Sequence, residues 1–600
     1  MNILGISAFY HDSAACLLMD GRITAAAQEE RFSRIKHDPG FPEKAVDFCL
    51  KKGGIQARDL TCVVFYDKPF LTFDRLLMTA LATAPFGLLP WLKAMPKWLG
   101  RNLHTPRVIK KKLGCTCPVL FTEHHEAHAA AAFYPSPFES AAILTMDGVG
   151  EWAAASYGAG QGREIRLFKE MHFPHSPGLL YSAFTAFCGF KVNSGEYKLM
   201  GLAPFGEPKY KDLILTELVD LKEDGSLCLN MAFFDYLSAM RMTGEKFAQL
   251  FDGPPRKPET EITRREMDLA ASIQAVLEEA ALKMAAHVHK ETGEKNLCLA
   301  GGVALNCAAN AKIVQQGLFE NIWVQPAAGD AGSALGAALA VWHRVCQEDR
   351  TGSAWQGPYL GPSFSNKEVR AFLDKNQYPF HRCDDMERAW VTAQHVAQGK
   401  IVGYMVGAME FGPRALGARS ILGDPRDPRT QQVMNKKIKF RESFRPFAPA
   451  VLEEKAAEYF DLDRPSPYML FTAPLREDKR LPMAPGLSSK SMMERLKQPR
   501  SGIPAVTHLD YSARVQTVSR NDKPDFYDVI KEFENHTGCP VMVNTSFNVR
   551  GEPIVCTPRQ AYNCFMKTEM DVLVMENNIL YKEEQPPYQG GRKGAYAKPD

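Results

Sequence analysis

What this 600-residue sequence has little of narrows the field first. Charge of one sign is missing: 72 basic and 69 acidic residues leave a formal +3. That balance argues against a nucleic-acid or membrane partner, since such recognition takes a concentrated basic stripe. Paired cysteines are missing too. The fourteen cysteines are scattered, and Cys115 and Cys117 form a lone C-x-C with no second pair at zinc-finger spacing. Most of the others sit in apolar runs such as Val541–Cys556 and Leu297–Cys307, as buried, reduced thiols do. The opening MNILGISAFYHD has no basic stretch ahead of an apolar one, so no secretory signal is expected and the reading is cytoplasmic. Long apolar runs are absent. The uncharged stretch Leu76–Leu92 is broken by Pro85, Gly87 and Pro90 and ends at Lys93, short of the ~20 residues a bilayer needs. It is expected to be a hydrophobic lid or core insertion, with no membrane partner. Neither G-x-x-x-x-G-K-[ST] nor a proper G-x-G-x-x-G occurs, which excludes P-loop and Rossmann readings.

What is present points to a large α/β protein. Hydrophobic residues make up 45% and charged residues 24%, ordinary for a folded chain long enough for two or three units. Met1–Glu30 reads as strand, turn, strand and helix, with Ile23–Glu30 running on into EERFSR. Ser140–Ile165 repeats the strand, tight loop, strand pattern, again with an aspartate at the loop. Such a duplication suits a fold that clasps a phosphorylated ligand between two halves. Ile273, Val276, Leu277, Ala280 and Met284 recur at helical spacing within Asp268–Glu291. The strand KNLCLAGG then leads into GGVALNCAAN, and a second glycine-rich turn, PAAGDAGSALGAALA, opens a small-residue helix. Turns of this kind let a ligand approach the backbone. Composition shifts to Gly, Pro and Ser at Thr351–Ser365, as at a boundary. A second α/β region is expected beyond it, with a helix at Val391–Gln398, the strands KIVGYMVG and PVMVNTSFN, and a helix at Pro558–Met566. The expected bounds are 1–350, a linker at 351–365, a second domain at 366–585 and a loose tail at 586–600.

Three of fifteen histidines fall within FTEHHEAHAAAAF. If its alanines make it helical, His124 and His128 stand at i and i+4 on one face, a pairing that can present two imidazoles to one metal. His125-Glu126-Ala127-His128 is one residue short of H-E-x-x-H, so a zinc-protease motif is absent. Asp147 and Asp330 lie in loops that could complete a site. On these residues alone, a metal site and a solvated or hydrogen-bonded histidine face both stand.

Eight phrases, in order from residue 5 to 555, resemble the O-carbamoyltransferase family of the nodulation protein U and tobramycin O-carbamoyltransferase type. They are GISAFYHDSAA, AAQEERFSRIKH, EHHEAHAAAAFYPSPF, SGEYKLMGLAPFG, GGVALNCAAN, EFGPRALGARSIL, RESFRPFAP and NTSFNVRGEPIV. The resemblance implies a duplicated actin-like (ASKHA, TsaD-like) N-terminal domain and a YrdC-like α/β C-terminal domain. It implies His124, His128, Asp147 and Asp330 as metal ligands, for iron, a donor set that Mn²⁺ or Zn²⁺ also suits. His125 is out of register.

The family reaction, as the resemblance implies it, has two halves. The C-terminal domain makes carbamoyl adenylate from carbamoyl phosphate and ATP, with Mg²⁺ accompanying ATP. Two anionic substrates call for fixed cations, preferably arginines whose forks grip phosphate. Arg414 and Arg419 stand in GPRALGARS, Lys439, Arg441 and Arg445 in KIKFRESFRPF, Arg514 in DYSARVQT, and Asn544 and Ser546 in VNTSFN. Lys439 and Arg414 are the expected catalytic pair there; the alternative reading is a solvated basic face. The N-terminal domain holds the adenylate through Gly301, Gly302 and Asn306 and through Glu196, Lys198 and Gly201. It then passes the carbamoyl group to a hydroxyl of a small molecule, with His11 as general base and Asp12 orienting it. Two other readings share parts of the pattern: an actin-like kinase or nucleotide-dependent switch, and a tRNA threonylcarbamoyl-adenosine-type enzyme. The near-neutral charge opposes the last. The acceptor, the native metal and the oligomeric state are not legible.

Overall fold

The first strand, β1 (Asn2–Ser7), is buried along nearly its whole length, the continuous apolar pattern of a strand covered on both faces. It pairs antiparallel with β2 (Ala14–Met19), which pairs antiparallel with β3 (Arg22–Gln28). On its other side β1 runs parallel to β4 (Cys62–Phe65), and β4 to β5 (Val119–Phe121). The pattern then repeats. β6 (Ser140–Met146), β7 (Ala153–Gln161) and β8 (Glu164–His172) form an antiparallel meander. β6 also runs parallel to β9 (Asn296–Ala300), which runs parallel to β10 (Asn321–Val324). Two five-stranded sheets of identical order and direction, β3-β2-β1-β4-β5 and β8-β7-β6-β9-β10, are the duplicated actin-like arrangement. The computed structural model describes residues 1–350, 355–482, 486 and 491–588. It divides into one unit of Met1–Ser33 with His37–Gln356 and another of Arg34–Lys36 with the chain from Gly357 onward.

The segment expected to run as a helix from Ile23 is instead β3, with helix only at Glu30–Ser33. Alanine favours helices locally, but RITAAAQ pairs with β2 from Arg22 to Gln28, and its small side chains let the helix at Glu43–Gly53 lie against the sheet through Val46 and Cys49. Sheet pairing and packing override a propensity difference of well under ~1 kcal/mol per residue.

The helices that matter for the site follow in order. They are α1 (Pro69–Ala82), α2 (Leu88–Gly100), α3 (Thr105–Leu113), α4 (His124–Phe133), α5 (Pro177–Phe187), α6 (Glu196–Leu202), α7 (Arg264–Thr292), α8 (Cys307–Gln316) and α9 (Asp330–Ala340). α7 contains the expected Asp268–Glu291. It starts at a capping box between Thr263 and Glu266 and stops at Gly293 in the left-handed conformation, which a residue without Cβ adopts freely. The run Leu76–Leu92 is not a core insertion. It is split between α1 and α2, and Leu81, Phe86, Leu88 and Leu89 are exposed. No helix among the described residues is long and apolar enough to cross a membrane.

The second unit is built on an eight-stranded mixed sheet. Its strands are β11 (His381–Arg382), β12 (Val402–Met405), β13 (Arg419–Gly423), β14 (Ala448–Leu452), β15 (Gln516–Val518), β16 (Val541–Ser546), β17 (Val572–Met575) and β18 (Asn578–Tyr581), in the order β11-β18-β17-β12-β13-β16-β14-β15. Its helices include Asp385–Ala397, capped by Asp384, and Pro558–Lys567, opened by a Thr557–Gln560 capping box. Within the expected linker and tail, 351–354 and 589–600 lie outside the described residues.

Candidate active site

The duplicated topology puts equivalent loops at equivalent places. The loop after β1 carries His11 and Asp12, and the residue after β6, its counterpart, is Asp147. In parallel-strand sheets, ligand sites form beyond the carboxyl ends of strands. The third contribution comes from α4 and α9, which pack tightly on each other. Both are rich in alanine and glycine, and the closeness is enforced at Gly336: a Cβ there would lie 1.8 Å from the Ala127 carbonyl oxygen. Gly5 of β1 packs equally closely on α9, where a Cβ would lie 1.8 Å from the Ala334 carbonyl oxygen. Only bare backbone lets the first two turns of α4, with His124 and His128, face Asp330 at the first position of α9.

The four expected donors converge, with one ligand atom from each of His124, His128, Asp147 and Asp330 within 4.8 Å of the others. His124 Nε2 lies 3.1 Å from Asp147 Oδ2 and 3.1 Å from His128 Nε2. Asp330 Oδ1 is 3.7 Å from both imidazoles. The outer atoms are anchored: His128 Nδ1 meets Ser333 Oγ at 3.2 Å, and Asp147 Oδ1 accepts the Gly302 N–H at 2.8 Å. Second-sphere bonds of this kind fix ring orientation around a metal. His124 also donates its backbone N–H to the Glu151 carboxylate, which accepts from Lys68 N–H as well.

The electrostatics favour a cation. Asp147 and Asp330 are buried, and among the described residues their ion-pair partners are all imidazoles. Burial alone would lower the His124 pKa, yet Asp147, Asp330 and Glu151 together raise it to about 9. His11 is raised to about 10, again against burial, by Asp330, Asp12 and Asp147. Asp147 is held well below the usual carboxylate range; burial opposes this, and the histidines outweigh it. Two ring nitrogens 3.1 Å apart cannot both carry protons comfortably. Nor does Asp330 Oδ2, which is buried, find a hydrogen-bond partner. Two nitrogen and two oxygen donors with no lysine or arginine among those ion-pair partners fit a divalent transition metal. His125 is aimed elsewhere: its Nδ1 lies 2.6 Å from Thr145 Oγ1, and burial together with its neighbouring histidines lowers its pKa to about 3.

His11 stands at the edge of this cluster, its Nε2 3.7 Å from Asp330 Oδ2. Its other nitrogen, Nδ1, is 3.0 Å from Asp12 Oδ2, as expected of an orienting carboxylate. Sequence reasoning missed the next member: His37 Nδ1 lies 2.8 Å from Asp12 Oδ1. Asp12 takes a positive φ of 49°, a conformation Asp tolerates better than most residues. Asp12, Glu30 and His37 also bring donor atoms within 4.8 Å of one another. Those atoms are engaged already, for Glu30 accepts the His37 backbone N–H and pairs with Arg31. His37, Asp12 and His11 therefore form a continuous side-chain chain that ends at the four-donor cluster.

The remaining expected residues of this unit divide. Gly301 takes φ +90° and crowds the Met146 carbonyl, where a Cβ would sit at 2.2 Å; with Gly302 it braces Asp147. Asn306 spends its amide internally, capping α8 through Ala309 N–H and pairing with Gln274. Glu196 accepts from Ser182 Oγ and Asn193 N–H, Lys198 is buried with its ammonium 5.9 Å from the Phe190 ring centroid, and Gly201 lies on α6 with them.

In the second unit, Lys439 is 3% exposed and donates to Ser546 Oγ at 3.1 Å and to the Asn548 carbonyl and side-chain oxygens at 3.0 and 2.7 Å. Burial, then the nearby Arg441 and Arg445, push its pKa well down. Arg441 bonds Asn435 Oδ1 at 2.7 Å and lies 4.7 Å over the Phe447 ring. Arg550, not singled out from sequence, joins this group through a backbone bond to Lys439 and through Glu442, which also faces Arg445. Arg419 is used differently. Fully buried on β13, it donates to the carbonyls of Gly407, Ala418 and Pro362, a structural use of the guanidinium. Asn544 is likewise interior, donating to Ala415 O and Gln516 Oε1. Arg414 lies between β12 and β13, and Arg514 in the ribbon that Ser512–Arg514 forms with Thr472–Pro474. Both are half-buried, on elements other than the helical turn Met434–Lys439 that ends at Lys439.

Comparison with known proteins matches residues 2–339 to a family model described as carbamoyltransferase N-terminus and residues 393–582 to one described as carbamoyltransferase C-terminus. The chain is 55% identical over 607 aligned positions to the uncharacterized protein sll1178 of Synechocystis, covering 99% of this chain and 98% of that one. It is 36% identical to nodulation protein NolNO of Sinorhizobium fredii (97% and 81% covered) and 29% identical to nodulation protein U of Rhizobium fredii (90% and 89%).

Proposed function

The chain belongs to the carbamoyltransferase family, and on that premise we propose that it makes carbamoyl adenylate from carbamoyl phosphate and ATP and carbamoylates a hydroxyl of a small natural product. One observation carries the transfer half: His124, His128, Asp147 and Asp330 close on one another with His11 3.7 Å from Asp330. His124, His128, Asp147 and Asp330 would hold a divalent cation, Fe²⁺ by family resemblance, which would supply Lewis-acid polarisation and a template. The protein's own residues do the rest. Asp12 holds His11 through Nδ1, leaving Nε2 directed toward the cluster. The unanswered charges of Asp330 and Asp147 favour the protonated ring; with a cation bound between them that pull is offset, and the neutral Nε2 accepts the hydroxyl proton as the oxygen attacks the carbamoyl carbon. The carbon–oxygen bond to AMP breaks, and AMP leaves. His37 holds Asp12 from behind.

The second unit takes the earlier half. Carbamoyl phosphate is hydrolysed to carbamate and phosphate. The carbamate oxygen then attacks the α-phosphate of ATP, with Mg²⁺ accompanying the nucleotide, and pyrophosphate leaves. Arg441, Arg445 and Arg550 offer the fixed cations that bring two anions together, and a bound anion favours the charged form of Lys439 against the burial that disfavours it. Arg419 and Asn544 hold the surrounding loops. Arg414 and Arg514 are proposed ligand contacts from neighbouring elements, as is Ser546.

The test is product identity. Full-length protein with ATP, carbamoyl phosphate and a panel of alcohols is expected to give AMP, pyrophosphate and an acceptor heavier by about 43 Da, one carbamoyl in place of one hydrogen. Formation of ADP with a phosphorylated acceptor replaces this reading with a kinase.

A further inference from the structure

The stretch between β4 and β5 departs from the rest of the chain in two respects at once. From Pro69 to Leu113 it carries eight basic side chains and one acidic, a net +7 within a chain whose total is +3. It also holds nine of the eighteen large hydrophobic side chains that stand exposed among the described residues, including Phe70 and Leu89 at 70% and Phe86 at 81%. Such a concentration of exposed apolar side chains in one short stretch marks an interaction site.

These are not core residues left over from loose packing. α1 and α2 hold each other by their inner faces, where Phe73 meets Trp91 and Trp98 at 6.2 Å each and Thr72 and Met95 are buried. The outer faces are ordered by helical geometry. At ~100° per residue, Leu88, Leu92 and Leu99 fall on one stripe with Leu89 beside it, and Lys93 and Lys97 run along one flank. Phe86 stands at the tip, between the helices. Next in the chain, α3 adds Arg107, Lys110 and Lys111, all exposed. An apolar stripe flanked by lysines, with tryptophans beneath, is the make-up of a helix lying in a membrane interface.

We propose that this hairpin is a membrane-docking element that seats the first unit on an anionic lipid surface. The charge selects the occupant. A second copy seated symmetrically on the same face would set +7 against +7, whereas anionic headgroups attract it. The hairpin also adjoins the site: Lys97 Nζ donates to the Phe9 carbonyl at 3.4 Å, and the Arg101 guanidinium lies 4.3 Å over the Phe9 ring, two residues from His11. Docking thus acts on an element in direct contact with the His11 loop. It rests on the hairpin's composition and exposure, not on the proposed chemistry.

Sedimentation of the full-length protein with phosphatidylcholine vesicles, with and without phosphatidylglycerol, tests it. Binding is expected on the anionic vesicles, about tenfold or more above the neutral ones and falling with salt, with a blue shift of tryptophan emission. The triple variant Phe86→Asp/Leu89→Asp/Leu92→Asp alters only outward side chains and is expected to lose binding with an unchanged circular dichroism spectrum. Lys110→Glu/Lys111→Glu is expected to weaken binding to anionic vesicles alone. No sedimentation with either vesicle, or equal sedimentation of the triple variant, overturns the proposal. A dimer that the triple variant disperses, without vesicle binding, overturns it in favour of a second copy.

Discussion

Replacing Asp12 by Asn isolates the relay from everything around it. Asp12 is a single carboxylate serving two imidazoles, 3.0 Å from His11 Nδ1 and 2.8 Å from His37 Nδ1. Each ring can donate to it through Nδ1; in the neutral form that leaves Nε2 with the lone pair, and for His11 that atom faces Asp330 at 3.7 Å. Asparagine has the same shape but one acceptor and one NH₂. One ring must turn Nδ1 into an acceptor and carry its proton on Nε2. Loss of one charge-assisted bond costs about 1.5–3 kcal/mol. Where the wrong tautomer falls on the base itself, the loss reaches about 10⁴ in rate. Transfer kcat is therefore expected to fall about 10- to 10⁴-fold with acceptor KM nearly unchanged, while ATP–pyrophosphate exchange in the presence of carbamoyl phosphate stays at the wild-type rate. Equal loss in both half-reactions, or transfer within about threefold of wild type, refutes the relay. The same residue has a pH signature. His37 and His11 hold its carboxyl well below the usual range although burial opposes them. A depressed carboxylate stabilises the fold above its unfolded pKa of about 3.9, and that contribution drains away as pH falls further, when the unfolded chain takes up the proton first. Denaturation at pH 6 and pH 3 is expected to show a smaller acid loss in Asp12→Asn than in wild type.

Asp330→Ala removes a buried donor and is expected to leave at least about tenfold less divalent metal on the purified protein by elemental analysis, with transfer abolished and pyrophosphate exchange retained. Gly336→Val places a Cβ 1.8 Å from the Ala127 carbonyl, so α4 and α9 must separate. A stability loss of about 1–3 kcal/mol is expected in chemical denaturation, together with reduced metal content. Arg550→Ala is expected to raise the KM for carbamoyl phosphate about tenfold without changing bound metal; an unchanged KM removes Arg550 from the anion site.

The amino-acid sequence by itself determined what neighbours along the chain can decide. The i, i+4 spacing of His124 and His128, the capping box at Thr263 and Glu266 and the glycine turns before α8 and α9 all express short-range backbone preferences, and these segments fold as their local patterns read. Where tertiary pairing outweighed local propensity, the reading failed: the alanine-rich Arg22–Gln28 looks helical and is the edge of a sheet. Polar residues in glycine-rich loops were ambiguous for a related reason. Nothing near Asn306 or Arg419 in the chain shows that one caps a helix and the other binds loop carbonyls. His37 carried no spacing signal, because 25 residues separate it from Asp12 and only the fold of the intervening strands closes that gap. Exposure of the Leu76–Leu92 run was equally invisible, since burial belongs to the surface around a helix rather than to its own residues. Only the tertiary structure decided that Asp147 and Asp330 reach the histidine pair. They come from three elements spread over some two hundred residues, and what joins them is the close approach of two helices whose glycines and alanines leave room for it.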